Sequence, residues 1–206
     1  MKPPYPSDWL LLEGVMTTLT PGDAPAVSRV NIAPMGPIVD PGITRLILRP
    51  FRTSTTYRNL KSTGQGVFHI TDDAAMIARA AIEKVTPGPG VPVRAAEVIE
   101  GIILMGVCRF YELRVTELED QQERTTIQAE VVHVGVLRDF LGFNRARHAV
   151  IEAAILATRI HLSGAGPVLD EFCRLQVIVD KTGSDAEQQA MAELRRAVES
   201  RAIARL

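Results

Sequence analysis

The sequence is poor in cysteine and aromatic residues, and it contains no long apolar run. Two cysteines occur among 206 residues, and Phe, Trp and Tyr together make up 5% of the chain. No apolar stretch reaches the roughly 18 residues of a membrane-spanning helix, and the opening residues lack the apolar segment of a secretory signal. We therefore expect a cytoplasmic protein with no membrane partner.

Sequence motifs for metal binding and nucleophilic catalysis are also missing. No two histidines have HxxH or HExxH spacing, and neither cysteine lies in a CxxC motif or beside a histidine. Such clusters are the usual signature of a local metal site. The chain also lacks a GxSxG motif and any Cys–His nucleophile motif. We predict no metal site and no catalytic side chain, and we expect Cys108 and Cys173 to be reduced, buried core residues.

The charge balance argues against a polyanionic partner. Lys and Arg number 23 and Asp and Glu number 24, which gives a net charge of −1. Proteins that bind nucleic acid typically combine a basic face with exposed aromatic residues on basic strands. The long strands predicted over 108–118 and 125–137 are not basic, so we expect no nucleic-acid partner.

Residues 1–137 are predicted to form a β-rich region. Gly and Pro interrupt runs of β-branched and aromatic residues at short intervals, which favours an antiparallel barrel or sandwich. Two short helices are predicted between the strands, at 53–61 and 71–84. The predicted strands are 9–20, 27–33, 43–49, 66–71, 108–118 and 125–137.

Residues 138–206 are predicted to form a helical extension. From Ala146 to Ile160 apolar residues follow helical 3–4 spacing, and a second apolar stripe runs beside the first. A helix that is apolar on two sides needs two packing partners, so we expect it to contact the barrel and a second surface. The Gly-Ala-Gly-Pro sequence at 164–167 predicts the end of this helix, and a last helix is predicted over 185–205.

An acid-free stretch of the sequence points to a phosphate site. Residues 41–71 contain no Asp or Glu, and within them RPFRTSTTYRNL places a hydroxyl-rich helix start after a strand. Helix N-termini bind phosphate through unpaired N–H groups, and hydroxyl groups and guanidinium groups add further donors. The alternative is a solvated basic face with an ordinary helix cap, but the missing acids favour the phosphate site. The candidate phosphate ligands are Arg49 or Arg52, Ser54, Thr55 and Thr56.

A second helix start carries cations where acids are usual. Asn144 is a natural N-cap, but Arg145, Arg147 and His148 follow it. Exposed cations at this end oppose the helix dipole by roughly 0.3–1 kcal/mol each. An anion from elsewhere would relieve the repulsion, either a ligand group or a carboxylate of another element. The alternative is an exposed cationic end that solvent screens.

Residues 31–36, NIAPMG, form a third candidate. A strand that runs into Pro34 exposes main-chain N–H and C=O groups, because proline cannot continue the hydrogen-bond ladder. The small residues around Pro34 allow a flat ligand to approach the main chain. The side chain of Met35 points either to such a ligand or into the core.

In this order, these segments resemble the FMN-binding split-barrel superfamily, which includes flavin reductases and pyridoxamine-phosphate-oxidase-like proteins. More specifically, the chain resembles a prokaryotic FMN-binding family of unknown function within it. The resemblance covers residues 11–159. The matching pieces are NIAPMG at 31–36, LRPFRTSTTYRNL at 48–60, HITDD at 69–73 and GFNRARHAVIEAAILATR at 142–159.

The resemblance implies an α+β fold, mainly β, with a Greek-key split barrel that forms a homodimer and binds FMN near the subunit interface. It also implies roles for named residues. Those that would edge the flavin ring are Asn31, Ala33, Pro34, Met35 and Gly36. Those that would hold the phosphate are Arg49, Ser54, Thr55 and Thr56. The resemblance assigns no role to Asn144, Arg145 and Arg147, and we expect them to contact the cofactor, within one subunit or across the dimer, or an anionic substrate.

The implied function is that of a flavin-dependent oxidoreductase of the flavin-reductase type, with a substrate and electron donor that the sequence does not identify. One alternative is a non-catalytic flavin carrier or sensor dimer. Another is a barrel that binds a different phosphate-bearing cofactor, such as pyridoxal phosphate, or a pterin or a haem. A haem would need an axial ligand, and the strand and helix contexts of His69, His133 and His148 favour core roles instead.

Overall fold

An antiparallel sheet of eight strands forms the larger of two structural units. The computed structural model describes residues 5–203. The β unit runs to Thr71 and resumes over Thr86–Asp139, and the helical unit comprises Asp72–Val85 and the residues from Phe140 onward. The strands are β1 Leu10–Leu11, β2 Gly14–Leu19, β3 Val30–Met35, β4 Ile38–Val39, β5 Arg45–Leu48, β6 Gln65–Ile70, β7 Val93–Ala95, β8 Ile102–Leu104, β9 Arg109–Glu119 and β10 Thr126–Val136. The helices are α1 Ala26–Arg29, α2 Thr55–Thr63, α3 Ala74–Ile82, α4 Arg145–Thr158, α5 Ile160–Ser163, α6 Ala165–Thr182 and α7 Asp185–Ile203.

The strands of the main sheet follow the order β1-β4-β5-β10-β9-β6-β2-β3. Every neighbouring pair is antiparallel, and β7 pairs with β8 in a separate hairpin. The sheet curls into a half-barrel that fits a split barrel. The predicted fold class, α+β with a split barrel and C-terminal helices, is confirmed.

The predicted strands differ in accuracy. The long pair over 108–118 and 125–137 is confirmed as β9 and β10. The single strand predicted over 9–20 is wrong, because the chain divides there into β1, which pairs with β4, and β2, which pairs with β3 and β6. The strand predicted over 27–33 starts with the single turn of α1. The strands β4, β7 and β8 were not predicted, since two or three residues are too few to show an alternating pattern.

The core of the β unit is formed by large side chains from neighbouring strands. Met16 of β2, Phe68 of β6, Leu113 of β9 and Ile127 of β10 are fully buried and belong to one apolar cluster. Leu60 of α2 packs into the same cluster. This contact places α2 against the sheet that carries β2 and β3.

His69 is the penultimate residue of β6 and is completely buried. Leu104 donates its main-chain N–H to Nε2 at 3.2 Å, so Nε2 is unprotonated and Nδ1 carries the proton. Nδ1 therefore donates to the carbonyl of Val15 at 3.1 Å. Burial lowers the pKa of His69 to about 4. Both ring nitrogens are committed to main-chain groups, so this residue has the core role that the sequence favoured.

We expect acid to destabilise the β unit through His69. The ring titrates near its ordinary pKa of about 6.5 in the unfolded chain, whereas in the folded chain its pKa is about 4. As the pH falls through this interval the unfolded state binds more protons, so the free energy of unfolding decreases, by roughly 3 kcal/mol at most. Urea unfolding at a series of pH values measures the slope, and the exposed His161→Gln provides a matched control for His69→Gln. An equally steep pH dependence in His69→Gln and His161→Gln would contradict this assignment.

The helical unit has an alanine-rich core around α4. The buried face of α4 contacts α3, α6 and α7. Of the second apolar stripe, Ile151 packs against the same core, whereas Ile155 is partly exposed and lies outside it. Contact of α4 with the barrel or with a partner subunit stays a prediction. The residues of α4 in this core are Ala146, Ala149, Val150, Ala153, Ala154 and Ala157.

One segment departs from the predicted division at residue 137. The helix predicted over 71–84 is α3, and it belongs to the helical unit although the sequence places it between two strands of the β unit. The reason is its apolar face, since Ala74 and Ala78 pack into the core around α4. The last helix, predicted over 185–205, is α7, and residue 205 lies outside the described residues.

The helix α6 was not predicted, because Gly164 and Pro167 were interpreted only as the end of α4. Proline is tolerated in the first turn of a helix, where its missing N–H has no intrahelical partner. Pro167 occupies that turn of α6. Phe172 is buried, but its neighbour Cys173 is exposed and accepts a hydrogen bond from Arg195 of α7 at 3.7 Å, so the prediction of a buried thiol is wrong there. Cys108 is buried as predicted.

Candidate functional site

The segment 31–36 lies mainly in β3, at one edge of the main sheet. β3 pairs with β2 on one side, and within residues 5–203 no strand pairs with its other side. The strand continues through Pro34, contrary to the predicted break, because an edge strand does not need the N–H on its outer side. Ala33, Pro34 and Gly36 are partly exposed. Met35 is buried in the apolar cluster, so its side chain takes the core alternative.

Ser54 is the N-cap of α2, as the hydroxyl-rich sequence predicts. Its Oγ accepts the main-chain N–H of Tyr57 at 3.1 Å. Thr55 and Thr56 are the first two helical residues, so their N–H groups have no carbonyl to bind inside the helix. The helix ends at Gly64, whose φ of 66° is in the left-handed region that favours glycine.

The connection between β5 and α2, residues 49–54, is held by hydrogen bonds between its main chain and the tip of the β9–β10 hairpin. The carbonyl of Pro50 accepts the N–H and the hydroxyl of Thr125, at 3.0 and 2.8 Å. The N–H of Arg52 donates to the carbonyl of Glu123 at 2.9 Å, and Nε of Arg124 donates to the carbonyl of Arg49 at 3.1 Å. The start of α2 is therefore fixed by a hairpin far away in the sequence.

The acid-free stretch of the sequence meets a carboxylate in the folded chain. Asp120 at the hairpin tip accepts hydrogen bonds from Nζ of Lys61 at 2.7 Å and from the hydroxyl of Tyr57 at 2.6 Å. These two hydrogen bonds lower the pKa of Asp120, and the bond to Asp120 raises the pKa of Lys61. The positive charge of Lys61 is thus paired with the carboxylate of Asp120. Arg49, in contrast, is exposed just after the end of β5.

A hydrogen bond joins two of the segments that the sequence selected. Nδ2 of Asn31 on β3 donates to Oγ1 of Thr56 on α2 at 3.1 Å. Thr55 also accepts a hydrogen bond at Oγ1, from Arg58 at 3.0 Å. A partly buried polar contact therefore joins the edge of β3 to the first turn of α2.

The buried side of α2 carries polar residues that were not among the predicted site residues. Nδ2 of Asn59 donates to Oγ1 of Thr18 on β2 at 3.0 Å, and both residues are buried. The signal was present, since Thr56 and Asn59 are polar residues three positions apart and lie on one helix face with Leu60. No local sequence pattern indicated Asp120, the hairpin residue that binds the hydroxyl of Tyr57.

Asn144 and Arg147 use their polar groups within the helical unit. Asn144 caps α4 by accepting the N–H of Arg147 at 3.1 Å, and it donates to the carbonyl of Thr182 at 3.0 Å. Arg147 lies 3.6 Å from the carboxylate of Asp72 and 3.4 Å from that of Glu187. Of the two anion sources that the sequence left open for this helix start, carboxylates of other elements are observed. Arg145 is exposed.

Glu187 is held as an anion at the start of α7. Its burial opposes ionisation, but hydrogen bonds from the hydroxyl and main chain of Ser184, and from Arg147, lower its pKa. Ser184 donates to Oε2 of Glu187 from its N–H at 2.8 Å and from its hydroxyl at 2.6 Å. The contact matches half of a helix capping box.

We expect Arg147→Ala to lower the free energy of unfolding of the helical unit by about 1–2 kcal/mol, because two mostly buried carboxylates lose this cation. Urea unfolding followed by far-UV circular dichroism measures the change. Arg145→Ala, an exposed neighbour on the same turn, is the matched control. Equal stability of the two variants would contradict the structural role of Arg147 and favour a ligand contact.

The described part of the chain contains neither a metal-binding cluster nor a membrane-spanning helix. Among residues 5–203, no group of three or more His, Cys, Asp or Glu side chains is arranged to hold a metal ion. None of the helices in this part of the chain is both long enough and apolar enough to cross a membrane.

The chain is similar to one protein family over both of its units. The model of the N-terminal domain of DUF447, described as a protein of unknown function, matches residues 19–138, and a second DUF447 model matches residues 144–196. A sequence comparison with curated proteins finds no match.

Solved structures share this fold at low sequence identity. The FMN-bound protein MM1853 from Methanosarcina mazei, which carries the same family model, superposes with a TM-score of 0.76 at 21% identity, over 91% of this chain and 94% of that one. A flavin reductase domain protein from Arthrobacter sp. FB24 superposes with a TM-score of 0.50 at 15% identity, over 62% of this chain and 78% of that one.

The two family matches span the β unit from the end of β2 onward and most of the helical unit. They agree with the resemblance that the sequence segments indicated. The chain belongs to the DUF447 family.

Proposed function

We propose that the chain binds FMN, with the phosphate at the start of α2 and the flavin ring along the edge of β3. The observation that carries the proposal is the hydrogen bond from Asn31 to Thr56, because it joins the two segments that the sequence assigned to ring and phosphate. The similar fold of a protein whose structure is FMN-bound supports it.

The donors at the start of α2 suit a phosphate group. The N–H groups of Thr55 and Thr56 have no intrahelical partner, and the helix dipole favours an anion there. The hydroxyl oxygens of Ser54, Thr55 and Thr56 each accept one hydrogen bond from a neighbour. A hydroxyl that accepts in this way still has its hydrogen to donate. Arg49, exposed five residues before the cap, would supply a guanidinium.

We further propose that the protein is an oxidoreductase of the flavin-reductase type. A bound flavin supplies hydride and electron transfer, and the protein supplies position and electrostatics. Residues 31–36 would place the ring and the first turn of α2 would anchor the phosphate, so neither task requires a catalytic side chain. The fold shared with a flavin reductase domain protein supports this class. A homodimer stays a prediction, and light scattering of the purified protein tests it.

We expect purified protein to be yellow, or to become yellow with added FMN. Arg49→Ala should weaken FMN binding about tenfold, because one hydrogen bond to a charged group contributes roughly 1.5 kcal/mol. The double variant Thr55→Val/Thr56→Val should weaken it at least as much. Quenching of flavin fluorescence measures the Kd, circular dichroism checks the fold, and Thr63→Val at the far end of α2 is the control. Protein that takes up no FMN at any concentration tested would overturn the proposal.

A second experiment separates an enzyme from a carrier. If the oxidoreductase proposal is right, NADH, NADPH or a reduced deazaflavin should bleach the visible absorbance of the bound FMN under anaerobic conditions. Free FMN with the same donor is the control for uncatalysed reduction. Binding without faster reduction by any of these donors would favour the non-catalytic flavin carrier or sensor.

A further inference from the structure

The face of α2 that packs on the sheet is unusually polar for a buried surface. Four of its residues are buried, namely Thr56, Tyr57, Asn59 and Leu60. Asn59 is 2% exposed, and so is its partner Thr18 on β2. Their hydrogen bond, 3.0 Å from Nδ2 to Oγ1, crosses the interface between helix and sheet. Leu60 is the single aliphatic side chain among these four residues.

Hydrogen bonds position a helix differently from apolar contacts. An apolar face tolerates small rotations and slides, whereas a hydrogen bond is restricted in both length and angle. Because Asn59 and Thr18 are buried, a rotation of α2 that broke their bond would leave two polar groups without water. The bond therefore restricts both the rotation of α2 about its axis and its distance from β2.

A second set of bonds joins α2 to the tip of the β9–β10 hairpin. The hydroxyl of Tyr57 and Nζ of Lys61 both donate to Asp120 of the hairpin tip, at 2.6 and 2.7 Å. Tyr57 and Asn59 are two positions apart, so their side chains leave the helix in different directions. The helix is thus held by directional bonds to β2 and to the tip of the hairpin.

We propose that Asn59 is a positioning residue for phosphate recognition, and that Asp120 assists it from the hairpin. This inference rests on the proposed function, since it concerns the same FMN site. Asn59 is buried and lies one turn after Thr55 and Thr56, so it acts through the orientation of their N–H and hydroxyl groups. Its effect should therefore be confined to the part of the ligand that the first turn of α2 binds, the phosphate ester.

The test compares FMN with riboflavin, which has the same ring but no phosphate. In the full-length protein, Asn59→Leu keeps a similar volume and removes the bond to Thr18. We expect its Kd for FMN to rise about tenfold, equivalent to roughly one hydrogen bond to a charged group, while its Kd for riboflavin changes less than about twofold. Thr18→Val should have the same effect, and the double variant should add little to either single change because both remove one bond.

Controls guard against a general loss of structure. Thr63→Val removes bonds at the other end of α2, where Oγ1 of Thr63 donates to the carbonyl of Asn59 at 2.9 Å, and should leave the ratio of the two Kd values unchanged. If Asn59→Leu does not fold, Asp120→Ala provides the test instead, because the side chain of Asp120 is partly exposed. Asp120→Asn keeps an acceptor oxygen for Tyr57. This variant should therefore have a ratio of the riboflavin Kd to the FMN Kd close to that of the wild type.

The possible outcomes are distinct. Wild-type protein that binds no FMN overturns the proposed function itself. Wild-type protein that prefers FMN to riboflavin, with the same preference in Asn59→Leu, Thr18→Val and Asp120→Ala, overturns this inference and leaves the proposed function standing. Variants that lose both ligands equally also overturn it, because that pattern belongs to a general structural role. A selective loss of FMN affinity supports it.

Discussion

The antiparallel pairing of β9 with β10 is the interaction on which the β unit depends. Each strand has 11 residues, and each has a further partner, since β9 also pairs with β6 and β10 with β5. The hairpin therefore joins the two halves of the curled sheet. Its tip then bonds residues 49–54 through main-chain groups and α2 through Asp120. The position of the proposed phosphate site is thus determined by pairing between distant parts of the chain.

The two units use different means to hold a helix. In the helical unit, α4 packs with alanine-rich stripes against three other helices, and buried apolar area supplies the stabilisation. In the β unit, α2 has few apolar residues and is held by hydrogen bonds of fixed direction. Apolar packing suits a helix with a mainly structural task. Directional bonds suit a helix whose first turn has to present donors at fixed positions to a ligand.

Much of this architecture could be predicted from local sequence signals. Runs of β-branched and aromatic residues marked β9 and β10, the 3–4 spacing marked α4, and the hydroxyl run after a strand marked the cap of α2 at Ser54. Each of these features depends on neighbouring residues, so a single sequence contains the information. The same holds for α6, whose apolar residues have helical spacing, but the proline in its first turn was interpreted as the end of the preceding helix.

Other features depend on contacts that a single sequence does not reveal. Asp120, the partner of Lys61, lies about sixty residues away in the sequence. Residues 41–71 contain no acid, but in the folded chain the carboxylate of Asp120 lies beside them. The carboxylates beside Arg147 come from two other elements for the same reason. The assignment of α3 to the helical unit depends on which face finds an apolar partner, and the exposure of Cys173 depends on the orientation of a helix within its bundle.

The way the hairpin tip holds residues 49–54 bears on how related chains can vary. Two of the four bonds join main-chain groups only, from Thr125 to Pro50 and from Arg52 to Glu123, so the side chain at position 123 can change without loss of its contact. A one-residue insertion or deletion between β9 and β10 is different, because it would shift these carbonyl and N–H groups out of register with residues 49–54. Within the family, the length of this hairpin tip should therefore vary much less than its side chains.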